Sequence, residues 1–214
     1  MTSDTLTETA PLDVAALIRT ASAEDHKAAE TRGFVTRLMA GELDLDAYAR
    51  YLAQLAWIYE ALESWEHRAG DPELFQPELD RMPAIESDLL ALGVPDRRTT
   101  HPALPATAAY AAHLRDIVGR HDVVEYLAHH YTRYLGDLSG GQAIAALIAR
   151  HYGATPDQLA FGRFDRLEAP VPFKRRYREG INELRLPAAS VDRLIAEVRR
   201  SFALNSAVFD ALDA

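Results

Sequence analysis

His26 and Glu30 stand four residues apart in Ala15–Glu30, a stretch that reads as helix, so they share a face one turn apart. A neutral imidazole becomes a well-defined metal ligand when its second nitrogen is held by a partner, and a nearby carboxylate supplies one. An ordinary surface or core histidine fits the same spacing. The segment Tyr131–Gln142, YTRYLGDLSGGQ, carries Gly136, Gly140 and Gly141 between two helical runs, Val123–His130 and Ala143–His151. Each glycine costs about 1 kcal/mol relative to alanine inside a helix, so about 3 kcal/mol must be offset. Bare backbone laid against a planar ligand would offset it, with Asp137 and Ser139 supplying polar groups. Helix–helix packing through small residues, a kink or a loop would serve as well. Phe173–Arg178, FKRRYR, gathers basic groups in an acidic chain, with Lys174 and Arg178 one turn apart. They suit recognition of carboxylates or phosphates, or a solvated face paired to Glu179 and Glu183. Asn205 and Tyr59 interrupt apolar stripes, and a buried amide or phenol needs a partner, structural or at a ligand. The other seven histidines (His67, His101, His113, His121, His129, His130 and His151) form no paired Glu-x-x-His pattern, although Glu63 and His67 sit at helical spacing. That weakens a non-haem di-iron bundle.

These residues need helices to position them. No proline falls between Pro11 and Pro72, between Pro105 and Pro156, or after Pro187, and long proline-free stretches are where helices fit. Leu45, Tyr48, Leu52, Leu55, Tyr59 and Leu62 recur at three- and four-residue steps behind Asp44, a candidate cap; Val191, Leu194, Ile195, Val198, Phe202, Asn205 and Phe209 do so near the C-terminus. No long stretch alternates with period two. The expectation is an all-α, single-domain fold of about seven or eight helices over residues 12–214, with a disordered tail at Met1–Pro11. The chain has 214 residues, 48% of them hydrophobic, enough for one proper core. No cysteine occurs, which excludes disulfides, thiolate metal sites and cysteine nucleophiles and fits a reducing compartment. A net charge of −9 argues against nucleic-acid binding. The N-terminus has no secretory pattern, and no apolar run approaches the roughly 20 residues of a membrane span.

YTRYLGDLSGGQ resembles the distal-helix signature of the haem oxygenases, and the preceding His129 fits it. His26–Glu30 (HKAAE) resembles the family's proximal helix, Trp57–Glu63 (WIYEALE) the helix that follows, Phe173–Arg178 its basic helix and Phe202–Phe209 (FALNSAVF) its last. The resemblance runs in the family's order from about Val14 to Leu212, and the form is the short, anchorless one. It implies haem sandwiched between a proximal and a distal helix, as both cofactor and substrate. The reaction it implies is oxidative cleavage at a meso carbon to biliverdin, carbon monoxide and ferrous iron. O2 and electrons from a separate ferredoxin or flavoprotein reductase would drive it, in the cytoplasm of a bacterial-type cell, for iron acquisition. The other outcome is a haem carrier or store that does not degrade its ligand.

By the same resemblance, His26 is the iron ligand and Glu30 its hydrogen-bond partner. Gly136, Gly140 and Gly141 bring the distal backbone onto the haem face. Asp137 anchors a distal water network that Tyr59, Arg133 and Asn205 join. Lys174, Arg178 and Tyr131 hold the propionates, and Arg19 stands where the family often has lysine. Ser139, Phe202 and Phe209 complete the cofactor-binding set. His130 departs from the pattern and receives no role.

Overall fold

The computed structural model describes residues 12–167 and 169–214. The expected disordered tail, Met1–Pro11, lies outside the described residues. Within them the chain forms helices and connecting loops and no strand, as the periodicity predicts. The α-helices are α1 (Val14–Ala21), α2 (Ala23–Glu30), α3 (Gly33–Ala40), α4 (Leu45–Leu62), α5 (Met82–Ala91), α6 (Arg97–Thr100), α7 (Pro105–Arg120), α8 (Val123–His130), α9 (Gly136–Tyr152), α10 (Pro170–Glu183) and α11 (Ala188–Asp213). A π-helical turn, Tyr131–Leu135, joins α8 to α9.

The segmentation is finer than seven or eight helices. The Ala15–Glu30 stretch divides at Ser22, whose hydroxyl donates back to the Ile18 carbonyl at 2.8 Å, a local bond that competes with helix continuation. The proline-rich third adds the short α5 and the single turn α6. Aspartates start several helices: Asp44 accepts from the Ala47 amide at 2.7 Å and Asp122 from the Glu125 amide at 3.1 Å. Gly153 ends α9 in the left-handed region, at φ 70°.

α4 runs through the centre. Leu52, Leu55, Ile58, Tyr59 and Leu62 are fully buried, each apolar side chain there contributing about 1.5–3 kcal/mol. α7 and α5 pack on α4, and the long α11 packs on α8, α7, α2 and α3. α11 therefore links the short polar α2 to the core. Among the described residues no helix is long and apolar enough to cross a membrane.

Candidate active site

α2, AEDHKAAE, is mostly polar and buries only Ala29. Two contacts to α11 hold it: Arg199 donates to Asp25 at 2.9 Å, and the Phe202 ring meets the His26 imidazole edge-on, centroids 5.6 Å apart. Glu30 Oε2 lies 3.4 Å from His26 Nδ1. That leaves Nε2 as the nitrogen free to bind a metal.

His26 opens onto a cleft with two lobes. The first is a mainly apolar cavity of about 170 Å³, open at its mouth. α3 supplies Phe34, Val35, Leu38 and Met39, α4 supplies Tyr51, and α11 supplies Phe202, Asn205 and Phe209. Thr132, Arg133, Gly136, Asp137, Gly140 and Ile144, from the π turn and α9, line the rest. The second lobe shares His26, Thr132, Gly136 and Phe202 and adds Arg19, Tyr131, Ser139 and Arg178. Lys174 stands at its edge and donates to the Ser139 hydroxyl at 3.2 Å. The remaining basic residues of the α10 cluster do not converge here; Arg175 pairs with Glu179 on the exposed face.

The glycines divide. All three lie within helical backbone, so none is needed for a special turn. A Cβ on Gly136 would meet nothing within 4 Å, and one on Gly140 would meet only Ile144 Cδ1 at 3.8 Å. Both therefore leave open space on the cleft side of α9. Gly141 corrects the expectation made for it. It is buried and faces away from the cleft, where its Cβ would stand 3.2 Å from the Gly162 Cα and 3.3 Å from the Gly162 carbonyl oxygen. Its role is close packing of α9 on the Phe161–Phe164 loop.

Asp137 is fixed from behind. The Tyr59 hydroxyl donates to its carboxylate and accepts from Arg133 Nε at 3.3 Å. Arg133 also donates to Asn205 Oδ1 at 2.7 Å, and its guanidinium lies 3.8 Å from Asp137. Burial pushes the Asp137 carboxyl above its ordinary value, while Arg133 and the Tyr59 hydroxyl pull it back. Tyr59 is wholly buried and does not line the cleft; its hydroxyl reaches the cleft only through Asp137. The π turn matters here. Its wider winding sets Arg133 and Asp137 on the cleft side at the junction of two helices, and such turns recur at functional sites.

Several cleft residues escape the sequence reading. Tyr51 lies between Phe34 and Phe209, with ring centroids 6.0 and 5.9 Å away. Burial pushes its phenol up to about 12, with Arg133 pulling the other way. Phe34 with Leu38, and Val35 with Met39, repeat at four-residue steps and give α3 an apolar face wider than a core contact needs. That pattern could have flagged α3. Tyr110 is also buried close enough to feel Arg133 and Asp137.

His130 has a structural place. Its Nδ1 pairs with the Tyr177 hydroxyl at 2.6 Å, with the two rings parallel. Burial lowers its pKa to about 3, so the imidazole is a neutral core group joining α8 to α10. Glu63 belongs to the fold too: it accepts the backbone N–H groups of Arg81 (2.6 Å) and Met82 (3.1 Å) at the start of α5.

An apolar slot with a free imidazole, bare helix backbone and a basic lip suits a flat amphiphile with a metal at its centre and anionic groups at one edge. The Heme oxygenase family model matches residues 12–211. The chain belongs to the haem oxygenase family. It is 35% identical over 207 residues to heme oxygenase 1 of Gallus gallus, covering 94% of this chain and 70% of that protein. It is 28% identical to heme oxygenase 1 of Synechocystis, covering 94% and 85%. Among solved structures, heme oxygenase-1 from Synechocystis in complex with heme superposes with a TM-score of 0.88 over 94% of this chain and 93% of that one, at 28% identity. The enzyme from Leptospira interrogans gives 0.86 over 92% and 98%, at 30% identity. Haem oxygenases degrade haem to biliverdin, and the residues of this cleft fit haem. The Cβ-free strip at Gly136 and Gly140 is the observation that decides the fit, because the fold itself does not fill it.

Proposed function

We propose that this haem oxygenase holds haem between α2 and α9, with His26 binding the iron, and cleaves it at a meso carbon to biliverdin, carbon monoxide and ferrous iron. The observation that carries the reading is the bare α9 backbone facing a cleft that also holds a free imidazole nitrogen and an anchored carboxylate. Haem, when bound, supplies the iron at which O2 is reduced and the ring that is oxidised.

The chain's own residues do the rest. Glu30 fixes the His26 ring through Nδ1 and leaves Nε2 for the metal. Gly136 and Gly140 admit close backbone approach and, with Phe34, Val35 and Phe209, exclude bulk water. Asp137 would hold water on the α9 side of the cleft and relay protons through it. Tyr59, Arg133 and Asn205 keep that carboxylate aimed. A carboxylate acting through water delivers protons more gently than a strong acid placed directly at the oxygen, so positioning matters more than acidity. Arg19, Tyr131, Ser139, Lys174 and Arg178 would hold the propionates and so fix the in-plane orientation of the ring. The electron donor in this reading is a ferredoxin or a flavoprotein reductase. The setting is the cytoplasm and the purpose is iron acquisition.

Aerobic turnover of the haem-loaded chain with a reductant, followed by chromatography of the pigment, tests the reading. Loss of the Soret band with biliverdin as product is expected. A Soret band that survives reductant and O2 would leave only a haem carrier. His26→Ala should change the haem spectrum and lose most cleavage, with added imidazole restoring part of it.

A further inference from the structure

A second cluster of chemically able side chains lies outside the haem cleft, where α7, α8 and α11 meet. His113, His129 and Glu197 come from those three helices, and one ligand atom from each lies within 4.8 Å of the others. Glu197 Oε1 is 2.9 Å from His129 Nε2 and 2.5 Å from His113 Nε2. The side chains of His129, Glu197 and His113 are 0%, 9% and 12% exposed. The proposed haem chemistry uses none of them.

We infer that His113, His129 and Glu197 bind one divalent first-row transition-metal ion. Two imidazoles and one carboxylate are a ligand set for zinc, cobalt or ferrous iron, not for calcium or magnesium, which take oxygen. Ligands about 2 Å from a tetrahedral ion stand about 3.3 Å apart. The two nitrogen–oxygen separations therefore need to open by less than about 1 Å.

The surroundings fit the role. His129 Nδ1 is 3.1 Å from the Tyr110 hydroxyl, which is 2.9 Å from Ser201 Oγ. That chain fixes the imidazole plane and turns Nε2 to the cluster, as outer partners do for metal-bound histidines. Either hydroxyl can donate to the other, so Tyr110 can accept a proton held on Nδ1 once Nε2 binds an ion. His113 lies nearest the surface and offers the way in. Arg200 is 4.0 Å from the other oxygen, Glu197 Oε2, and largely exposed. It leaves Oε1 free.

Equilibrium dialysis of Zn2+ against the full, tag-free chain tests the inference, with His26→Ala as a control for the cleft's own histidine. One equivalent should be retained by the wild type and by His26→Ala. His113→Ala and Glu197→Gln should bind at least about 100-fold more weakly, and Tyr110→Phe about 10-fold more weakly, as loss of an outer partner does. Co2+ should give visible absorption bands in the wild type that His113→Ala lacks. His113 is at the edge of the core, so its variant decides the matter if Glu197→Gln does not fold. No retained zinc in the wild type, retention unchanged in His113→Ala, or loss in His26→Ala would each overturn the site.

Discussion

On the α2 wall of the cleft, His26 and Glu30 leave 52% and 67% of their side chains open to solvent; on the α9 wall, Arg133 and Asp137 leave only 6% and 14%. The first pair rests on a short helix that buries only Ala29, with one exposed ion pair and one ring contact to α11. An exposed pair of that kind contributes about 0–1 kcal/mol. The second pair is tied through Tyr59 and Asn205 to α4 and α11, both rooted in the core. The difference follows from the chemistry proposed for each wall. A metal–nitrogen bond orients the imidazole once the ligand arrives. No bond orients the groups on the other wall, so they must be in place beforehand.

The largest effect should come from breaking the fixed wall at its working group. Asp137→Ala should lower biliverdin formation at least about 100-fold, the usual cost of one preorganised group, while haem affinity changes little. Single-turnover absorbance and a haem titration measure the two. A wild-type rate would return Asp137 to an ordinary helix residue. Tyr59→Phe should act more weakly and by the same route. It keeps the ring contacts to Tyr134 and Phe161 and removes the donor to Asp137, at a cost of about 1–3 kcal/mol. A drop of about 10-fold in rate is expected, with haem affinity unchanged; reduced affinity instead would mean that Tyr59 supports the cleft rather than the carboxylate.

His130 sharpens the comparison through pH. Its folded pKa is depressed to about 3, so the unfolded state takes the proton first. The stability it contributes is fully present above about pH 6.5 and is lost as pH falls toward 3, at up to about 1.4 kcal/mol per pH unit. Urea unfolding at pH 7, 6 and 5 should show that slope in the wild type and a shallower one in His130→Phe. Equal slopes would remove His130 from the acid response. The smallest effect belongs to the rim. Lys174→Ala with Arg178→Ala should weaken haem binding less than 10-fold, since exposed contacts contribute little, yet broaden the biliverdin isomer mixture. An unchanged mixture would make both residues a solvated face.

Legibility in the sequence followed the physics of each part. The helices were legible because apolar periodicity and proline spacing act locally: α4 with its Asp44 cap and α11 stand where the pattern put them. Ser22 hid the α1–α2 break, since a hydroxyl bonding back to Ile18 leaves no mark in periodicity. At the cleft, motif residues stood out because they broke rules, as the glycines, Asn205 and the basic cluster did. Tyr51 and Met39 break no rule of the apolar pattern, so nothing in the sequence marks either one by itself. Gly141 was misread for a related reason. A glycine that makes room for a ligand and one that makes room for Gly162 look alike in sequence, and only the direction of the missing Cβ separates them.

That direction gives the most direct test of the central claim, that bare α9 backbone forms one wall of the haem site. Gly136→Ala, Gly140→Ala and Gly141→Ala should be compared by thermal melting without haem and by haem titration. A Cβ at Gly136 or Gly140 enters open space, so stability should hold or rise by up to about 1 kcal/mol. Haem affinity should fall about 10- to 100-fold, the scale of 1–3 kcal/mol of overpacking. Gly141→Ala should instead lower the melting temperature through its contact with Gly162, with haem affinity close to wild type wherever the chain stays folded. The account is contradicted if Gly136→Ala and Gly140→Ala bind haem normally while Gly141→Ala folds stably and does not bind it.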